Sequence, residues 1–394
     1  MMPSRLRQRI EIMPRAWLAQ AVRSRPPERP ADPRAILIAH HLLLGDTMGL
    51  VPLLATLRAQ HPDALIVLTV PPALLPIFAG RPYGVVPVAY APNQLGVLKR
   101  IAAARQAYAP RPNTSKLLDD AHGFDWAIIP GENRFAALAR AAGARWIIAH
   151  AGDRPAYKNH LVDELVPWPA WPWNWAEMIA SLAAPMPHTS TRIPFVPRSW
   201  PVPQAAQFAA PPSPYIVLHV GARNPLRRWL PARWRAVADA LHARGYTIAW
   251  SGGPDDTDAI AQVAPQPHEH SLCGALDLAQ LWQLLNGAAL LISTDTGIPH
   301  LARTASCPNL VLFGPGSATM SGSPAFFANV PSEAVGASTF HCRDQHVAFK
   351  RDTPGMARCV RFAPACVDNR CMQVIAADEV LAAALGLLDT PAVR

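Results

Sequence analysis

From Ala35 onward the chain alternates between short apolar runs and longer amphipathic ones. Apolar runs at 35–40 (AILIAH), 65–70 (LIVLTV), 84–89 (GVVPVA), 125–129 (DWAII) and 145–149 (RWIIA) predict buried strands. Between them, periodicity near 3.6 predicts helices at about 47–60, 72–79, 94–108 and 133–143. The alternation lapses between His160 and Pro214, where Leu161–Val166 has the look of a helix fragment. The tryptophan-rich Pro167–Trp175 and the proline-rich 185–214 follow as an irregular, semi-rigid connection. Then it restarts, with strands at 215–220, 246–251, near 270, 288–293 and 309–313, and helices at 231–244, 256–263, 277–286 and 297–306. Strands alternating with helices imply parallel sheets with helical crossovers. The expected fold is α/β, two Rossmann-like doubly wound domains facing a central cleft.

The expected organisation is a basic arm (1–34), a first domain (35–184), a linker (185–214) and a second domain (215–394). The arm interleaves Leu6, Ile10, Ile12, Trp17, Leu18 and Val22 with arginines. It can lie on an anionic membrane surface or stand as a solvated leader. At 394 residues and 50% hydrophobic, the chain can support two cores. No apolar stretch reads as a signal peptide or a membrane span, which predicts a cytoplasmic protein, peripheral at most on the inner face of the inner membrane.

Charge sharpens this picture. The formal net charge is +9, and Lys99, Lys116, Lys158 and Lys350 are the lysines, so the excess is arginine. Arginine suits bidentate recognition of phosphate or carboxylate, and it also accompanies a GC-rich genome. No nucleic-acid-binding motif appears, which argues against a nucleic-acid partner.

Candidate chemistry falls where strands end. In Ile292-Ser-Thr-Asp-Thr-Gly-Ile-Pro-His-Leu-Ala302, a strand runs through a turn into a helix, an arrangement that gathers backbone N–H groups toward an anion. Asp295 there is either a helix cap or an acceptor for a hydroxyl, and His300 lies one turn on. Leu44-Gly-Asp-Thr-Met-Gly follows the first strand, with Gly45 at the turn. Asp46 is either an N-cap or, beside a sugar hydroxyl, a general base. After strand 215–220, Gly221 permits a tight turn, and Arg223, Arg227 and Arg228 have the composition of a pyrophosphate site. Exposed loop cations are the alternative there. Ser251-Gly-Gly-Pro-Asp-Asp offers Asp255 or Asp256 to ribose hydroxyls, or simply a capped turn. Cys342, Cys359, Cys366 and Cys371, with His341 and His346 nearby, suggest a structural zinc or iron site, or else unpaired buried thiols.

Taken in order, GDTMGLVPLLATLRAQHPDALI, HLVDEL, YIVLHVGARNPLRRWLPARWRAVADALHARGYTIAWSGGPDD, STDTGIPHLA and NLVLFGP resemble the ADP-heptose:lipopolysaccharide heptosyltransferases. The resemblance runs from Ala35 to about Leu388. It implies a GT-B fold and inverting transfer from an ADP-sugar to a glycan, lipid-linked or protein acceptor, with no cofactor required. By the same resemblance Asp46 matches the general base, Arg228 a lysine on the donor phosphates, and Asp295, Thr296, Gly297 and His300 the nucleotide-sugar turn. AHHLLLGD and RNPLRRW depart from the family pattern, which bears on the acceptor above all. A nucleotide-sugar epimerase on the same architecture and a non-catalytic nucleotide-sugar-binding scaffold are the competing readings.

Overall fold

The computed structural model describes residues 4–22, 28–108, 123–170, 173–183, 193–336, 340–362 and 365–390. Parts of the expected arm (1–3, 23–27) and of the expected linker (185–192) lie outside them. The chain divides into two compact units.

The first unit holds a parallel sheet of β1 (Ala35–Ile38), β2 (Leu65–Val70), β3 (Val85–Ala89), β4 (Phe124–Ile129), β5 (Ala144–His150) and β6 (Glu164–Val166). Its order is β3-β2-β1-β4-β5-β6. All six residues of β2 are buried, as a sheet covered by helices on both faces requires. The core gathers Leu37, Val67, Val86, Val97, Ile101, Ala127, Ile129, Leu138 and Ile147. The segment read as a helix fragment is an edge strand instead: β6 pairs with β5 from Ile148↔Glu164 to His150↔Val166. Its three residues alternate in burial, a pattern too short to tell from one helical turn.

The arm supplies a helix, Ser4–Ala21, that packs on the helix Ala136–Ala141. Ile12 and Ala16 are buried there. The Glu11 carboxylate accepts the Gly96 amide at 3.0–3.1 Å, just before the helix Val97–Tyr108, where the helix dipole favours an anion.

The second unit repeats the topology with β7 (Tyr215–His219), β8 (Thr247–Ser251), β9 (His270–Ser271), β10 (Leu290–Thr294), β11 (Asn309–Leu312) and β12 (Ser332–Val335). Its order is β12-β11-β10-β7-β8-β9, again parallel. From Pro194 the described part of the expected linker belongs to this unit, where Phe195 packs against Phe326 and Phe327. In both sheets the order reverses beside the first strand. Ligands of open α/β sheets bind at such a switch point, outside the carboxyl ends of the strands.

One segment leaves its neighbours in sequence. Val347–Thr353 belongs to the first unit, although the chain on either side belongs to the second. It forms a hairpin of β13 (Val347–Ala348) and β14 (Arg351–Asp352) around Phe349 and Lys350, both at positive φ. Arg351 is buried and spends all five N–H groups: Nε on Ala151 O, Nη1 on Gly131 O and Phe349 O, Nη2 on Asn133 Oδ1 and His150 O, at 2.7–3.0 Å. Its guanidinium also sits 4.9 Å from the centroid of the Trp168 ring. Nothing in the periodicity of the sequence foreshadows this insertion.

Candidate functional site

In the first unit, Gly45 and Asp46 lie on the short helix Leu44–Met48 that follows β1. The N-cap position is Leu43, which makes no side-chain cap, so Asp46 is a first-turn residue and not the cap. A carboxylate there is stabilised as the anion by the N-terminal N–H groups. Asp46 is half-buried. The strand end behind it is rigid: Thr69 Oγ1 accepts the His40 amide at 2.8 Å and donates to the His40 carbonyl at 2.8 Å. The His40 Nδ1 accepts the Leu42 amide at 3.1 Å. Burial, and then its neighbour His41, drives the His40 pKa down to about 3. His40 is therefore a neutral core residue that shapes the turn.

In the second unit, three loops meet at the switch point. His219 ends β7 and Ser251 ends β8; they are register partners, with Nδ1 and Oγ 2.9 Å apart. Burial pushes the His219 pKa down to about 4. Gly221 follows, not at a positive φ; a Cβ there would run into Asp256 Oδ2 and crowd His219 Nε2. The glycine thus allows close approach by the β8 loop and not the tight turn expected of it. Asp256 accepts the Gly253 amide at 2.9 Å and pairs with Arg228 at 3.2 Å, which ties the β7 loop to the β8 loop. Asp255, the residue singled out beside it, is exposed.

The turn after β10 is centred on a buried Asp295. Gly297 occupies the cap position of the helix Ile298–Thr304, so Asp295 does not cap it. Arg227 holds Asp295 twice, through its carbonyl at 2.6 Å and its carboxylate at 3.3 Å. Gly316 lies so close that a Cβ would strike Asp295 Oδ2. Burial raises the Asp295 pKa, while Arg227, Arg358, Arg303 and Arg343 oppose the rise. Arg227 alone touches the carboxylate, and Arg358, Arg303 and Arg343 act on it through the field, so positive charge is in excess about this turn. Thr296 Oγ1 accepts the Ile298 amide at 3.3 Å. His300 Nδ1 faces Arg303 Nη1 at 3.1 Å; since guanidinium only donates, Nδ1 accepts and the neutral ring carries its proton on Nε2. Burial, and then Arg303, pulls the His300 pKa down to about 3. Arg303 itself is buried, its pKa lowered to about 10 chiefly by burial.

The structure thus brings together Gly221, Arg227, Arg228, Asp295, Thr296, Gly297 and His300 at one edge of the second sheet. Arg223 and Asp255, on the same loops, are exposed. Sequence reasoning missed Arg303, Arg343 and Arg358. Arg303 had a signal, three residues from His300 and so one turn along the helix. The other two arrive from a segment without periodicity.

The cysteines gather behind this site. Cys359 N donates to Pro315 O at 2.8 Å, and Cys371 lies beside Gly314, so both brace the loop that carries Gly316 to Asp295. Burial, with like-charge interaction from Cys342, Cys359 and Cys366, pushes the Cys371 thiol up to about 11. Four thiols in one neighbourhood are donors suited to zinc or iron. Among the described residues, however, no group of three or more His, Cys, Asp or Glu is arranged to hold an ion. His346 is engaged instead with the Met356 carbonyl.

Two Rossmann-like units, the second with an arginine-rich turn at its switch point, form an α/β architecture suited to a phosphate-bearing ligand. The profile of glycosyltransferase family 9 (heptosyltransferase) matches residues 124–341, more than half of the chain. Lipopolysaccharide heptosyltransferase 3 of Escherichia coli is 28% identical over 283 residues, 68% of this chain and 80% of that protein. The solved ADP-heptose lipopolysaccharide heptosyltransferase II of E. coli superposes with a TM-score of 0.61 over 90% of this chain and 98% of its own, at 18% identity. An iron-containing dodecameric glycosyltransferase from enterotoxigenic E. coli superposes at 0.53 over 91% and 77%, at 14% identity. The chain belongs to glycosyltransferase family 9, the heptosyltransferases.

Proposed function

We propose that the chain transfers heptose from ADP-heptose to a hydroxyl of a lipopolysaccharide-type, lipid-linked glycan acceptor, with inversion. The observation that carries this reading is the excess of arginine about the turn after β10, with Arg227 on Asp295 and Arg228 on the neighbouring loop, in a chain of this family. A leaving ADP carries its new charge on pyrophosphate oxygens, and preorganised arginines stabilise such charge as it develops. In the proposed step Asp46 takes the proton of the acceptor hydroxyl, and the acceptor oxygen bonds to the anomeric carbon. The bond from that carbon to the ADP oxygen breaks, its electron pair leaving on the β-phosphate. Arg228, assisted by Arg223 or Arg227, and the N–H groups at Thr296–Gly297 receive the charge. The helix Ile298–Thr304 has only seven residues, so its dipole is a small contributor beside the arginines. With cationic side chains in this role, the chemistry requires no divalent ion.

Incubation of the full chain with ADP-heptose and delipidated core oligosaccharides, followed by mass spectrometry, should show the gain of one heptosyl residue. Transfer from another ADP-sugar but not from ADP-heptose would reject the donor assignment. ADP-heptose consumed by epimerisation without transfer would favour the epimerase reading.

Zinc or iron at Cys342, Cys359, Cys366 and Cys371 is proposed as structural, a reading that rests on the donor type of the four thiols. Carefully reduced protein should then contain close to one equivalent by elemental analysis. Cys366→Ser or Cys371→Ser should lower thermal stability while leaving kcat little changed in the protein that stays folded. Metal-free protein of full stability would reject the site.

A further inference from the structure

The strands of the first sheet are parallel, so their carboxyl ends, with Asp46 beyond β1, share one edge and their amino ends share the other. At the amino edge, beside the starts of β2 and β3, lies a cavity of about 380 Å³, a size common for small-molecule sites. Arg58, Asp63, Arg81, Tyr83 and Tyr108 are among its walls. Arg58 stands near the end of the helix Val51–Gln60. It gives Nε to Tyr83 O at 2.8 Å and Nη1 to the carbonyls of His61 and Pro62, which closes that helix. Its Nη2 has no acceptor among the described residues, and a Cβ on Gly84 would stand only 3.1 Å from that nitrogen. Arg81 makes one hydrogen bond, from Nη2 to Gly84 O at 3.4 Å, and its guanidinium lies 4.3 Å from the centroid of the Tyr108 ring. Among the described residues no carboxylate bonds either guanidinium. Burial, and then the like charge of Arg81, lowers the Arg58 pKa, and Asp63 opposes this only through the field. The Tyr83 hydroxyl is buried without a partner among the described residues, a feature that calls for a reason. Arg81 and Tyr83 are also held at φ 55° and 53°, a left-handed backbone that side chains other than glycine seldom adopt. Strain of this kind collects at ligand clamps.

We propose that this cavity is a second ligand site, which takes the phosphate monoester of a small molecule, a sugar phosphate or a nucleotide. A phosphate between Arg58 and Arg81 relieves the repulsion of two neighbouring cations and gives Arg58 Nη2 an acceptor. Guanidinium and phosphate suit one another in charge and in the spacing of donors and acceptors. The organic part of the ester lies along the tyrosine walls, since a bare phosphate would leave most of the volume unfilled. The site is distinct from both halves of the transfer reaction. It lies at the edge of the first sheet opposite Asp46, and the arginines proposed for the ADP-sugar belong to the second unit. The inference therefore stands or falls independently of the function proposed above.

The test is equilibrium dialysis of the full chain against AMP, glucose 6-phosphate or inorganic phosphate, in buffer otherwise free of phosphate and sulfate. The natural chain is compared with Arg81→Ala, Tyr108→Ala and Arg228→Ala, each checked for folding by circular dichroism. The expected result is saturable binding of at least one ester, tighter than that of inorganic phosphate. Which ester binds tells a sugar-phosphate site from a nucleotide site. Arg81→Ala should weaken that binding about tenfold or more, the scale of losing hydrogen bonds between charged groups. Arg228→Ala should leave it unchanged. Tyr108→Ala, which removes the ring beneath the Arg81 guanidinium, should weaken it too, and decides the matter should Arg81→Ala not fold. Failure of both esters to reach saturation overturns the proposal. So does equal binding by the natural chain and the two cavity variants, or inorganic phosphate bound as tightly as either ester. Binding lost in Arg228→Ala alone would place the ester among the donor arginines and overturn the second site, while leaving the enzymatic reading intact.

Discussion

Asp46→Asn is expected to keep its affinity for the nucleotide sugar and to lose nearly all turnover. A positioned base contributes about 10²–10⁴-fold, and the amide has the same shape but cannot accept the acceptor's proton. The helix Leu44–Met48 should tolerate the change, because Leu43 and not Asp46 holds the cap position. Donor binding by calorimetry and steady-state turnover, measured on the same preparation, separate the two effects. Retention of more than about half of the natural kcat would assign the base to another residue.

Arg228→Ala is the second large effect, with an expected loss in kcat/KM of about 10²-fold, the scale of removing one preorganised donor. Part of the loss should lie in kcat, since leaving-group charge grows toward the transition state. Asp256 keeps its bond to the Gly253 amide without Arg228, so the loop has a reason to hold its shape. Arg228→Lys should recover much of the activity, as expected of a position that resembles a lysine site. Arg223→Ala, at an exposed position, should cost little. Arg227→Ala differs in kind, because it strips the buried Asp295 of its nearest cation and should lower stability along with activity. Equal kinetic losses at all three arginines would mean a diffuse basic patch. Full activity in Arg228→Ala would place the donor phosphates elsewhere.

Much of this was legible before the structure. Ten of the twelve strands announced themselves because parallel strands buried on two faces read as apolar runs, whereas β12, with one buried residue, was not expected. Once parallel strands with helical crossovers were implied, the turns after the first strand and after 288–293 stood out as candidate sites. Illegible were the features set by long-range packing. Glu164–Val166 is a strand because β5 lies beside it, not because of its own three residues. Gly221 looked like a turn glycine, but its reason is Asp256, thirty-five positions later in the sequence. The exposure of Asp255 and the engagement of Asp256 could not be told apart in a Pro-Asp-Asp string. Arg343 and Arg358 belong to a stretch of little periodicity, where pattern carries no information about neighbours.

The hairpin that carries Arg351 bears on how the protein is made. Until a growing chain reaches residue 353, the first unit lacks the side chain that donates to the carbonyls of Gly131 and Ala151 and adds a second donor to that of His150. At ribosomal speeds of roughly 5–20 residues per second, the sheet of β1–β6 waits about ten seconds or more for that last piece. Through that interval the nascent amino-terminal half is an incomplete body whose Gly131 and Ala151 carbonyls lack their guanidinium donor. A fragment that stops short of Val347 would inherit the same defect permanently, so the first unit, though compact, is not an excisable domain.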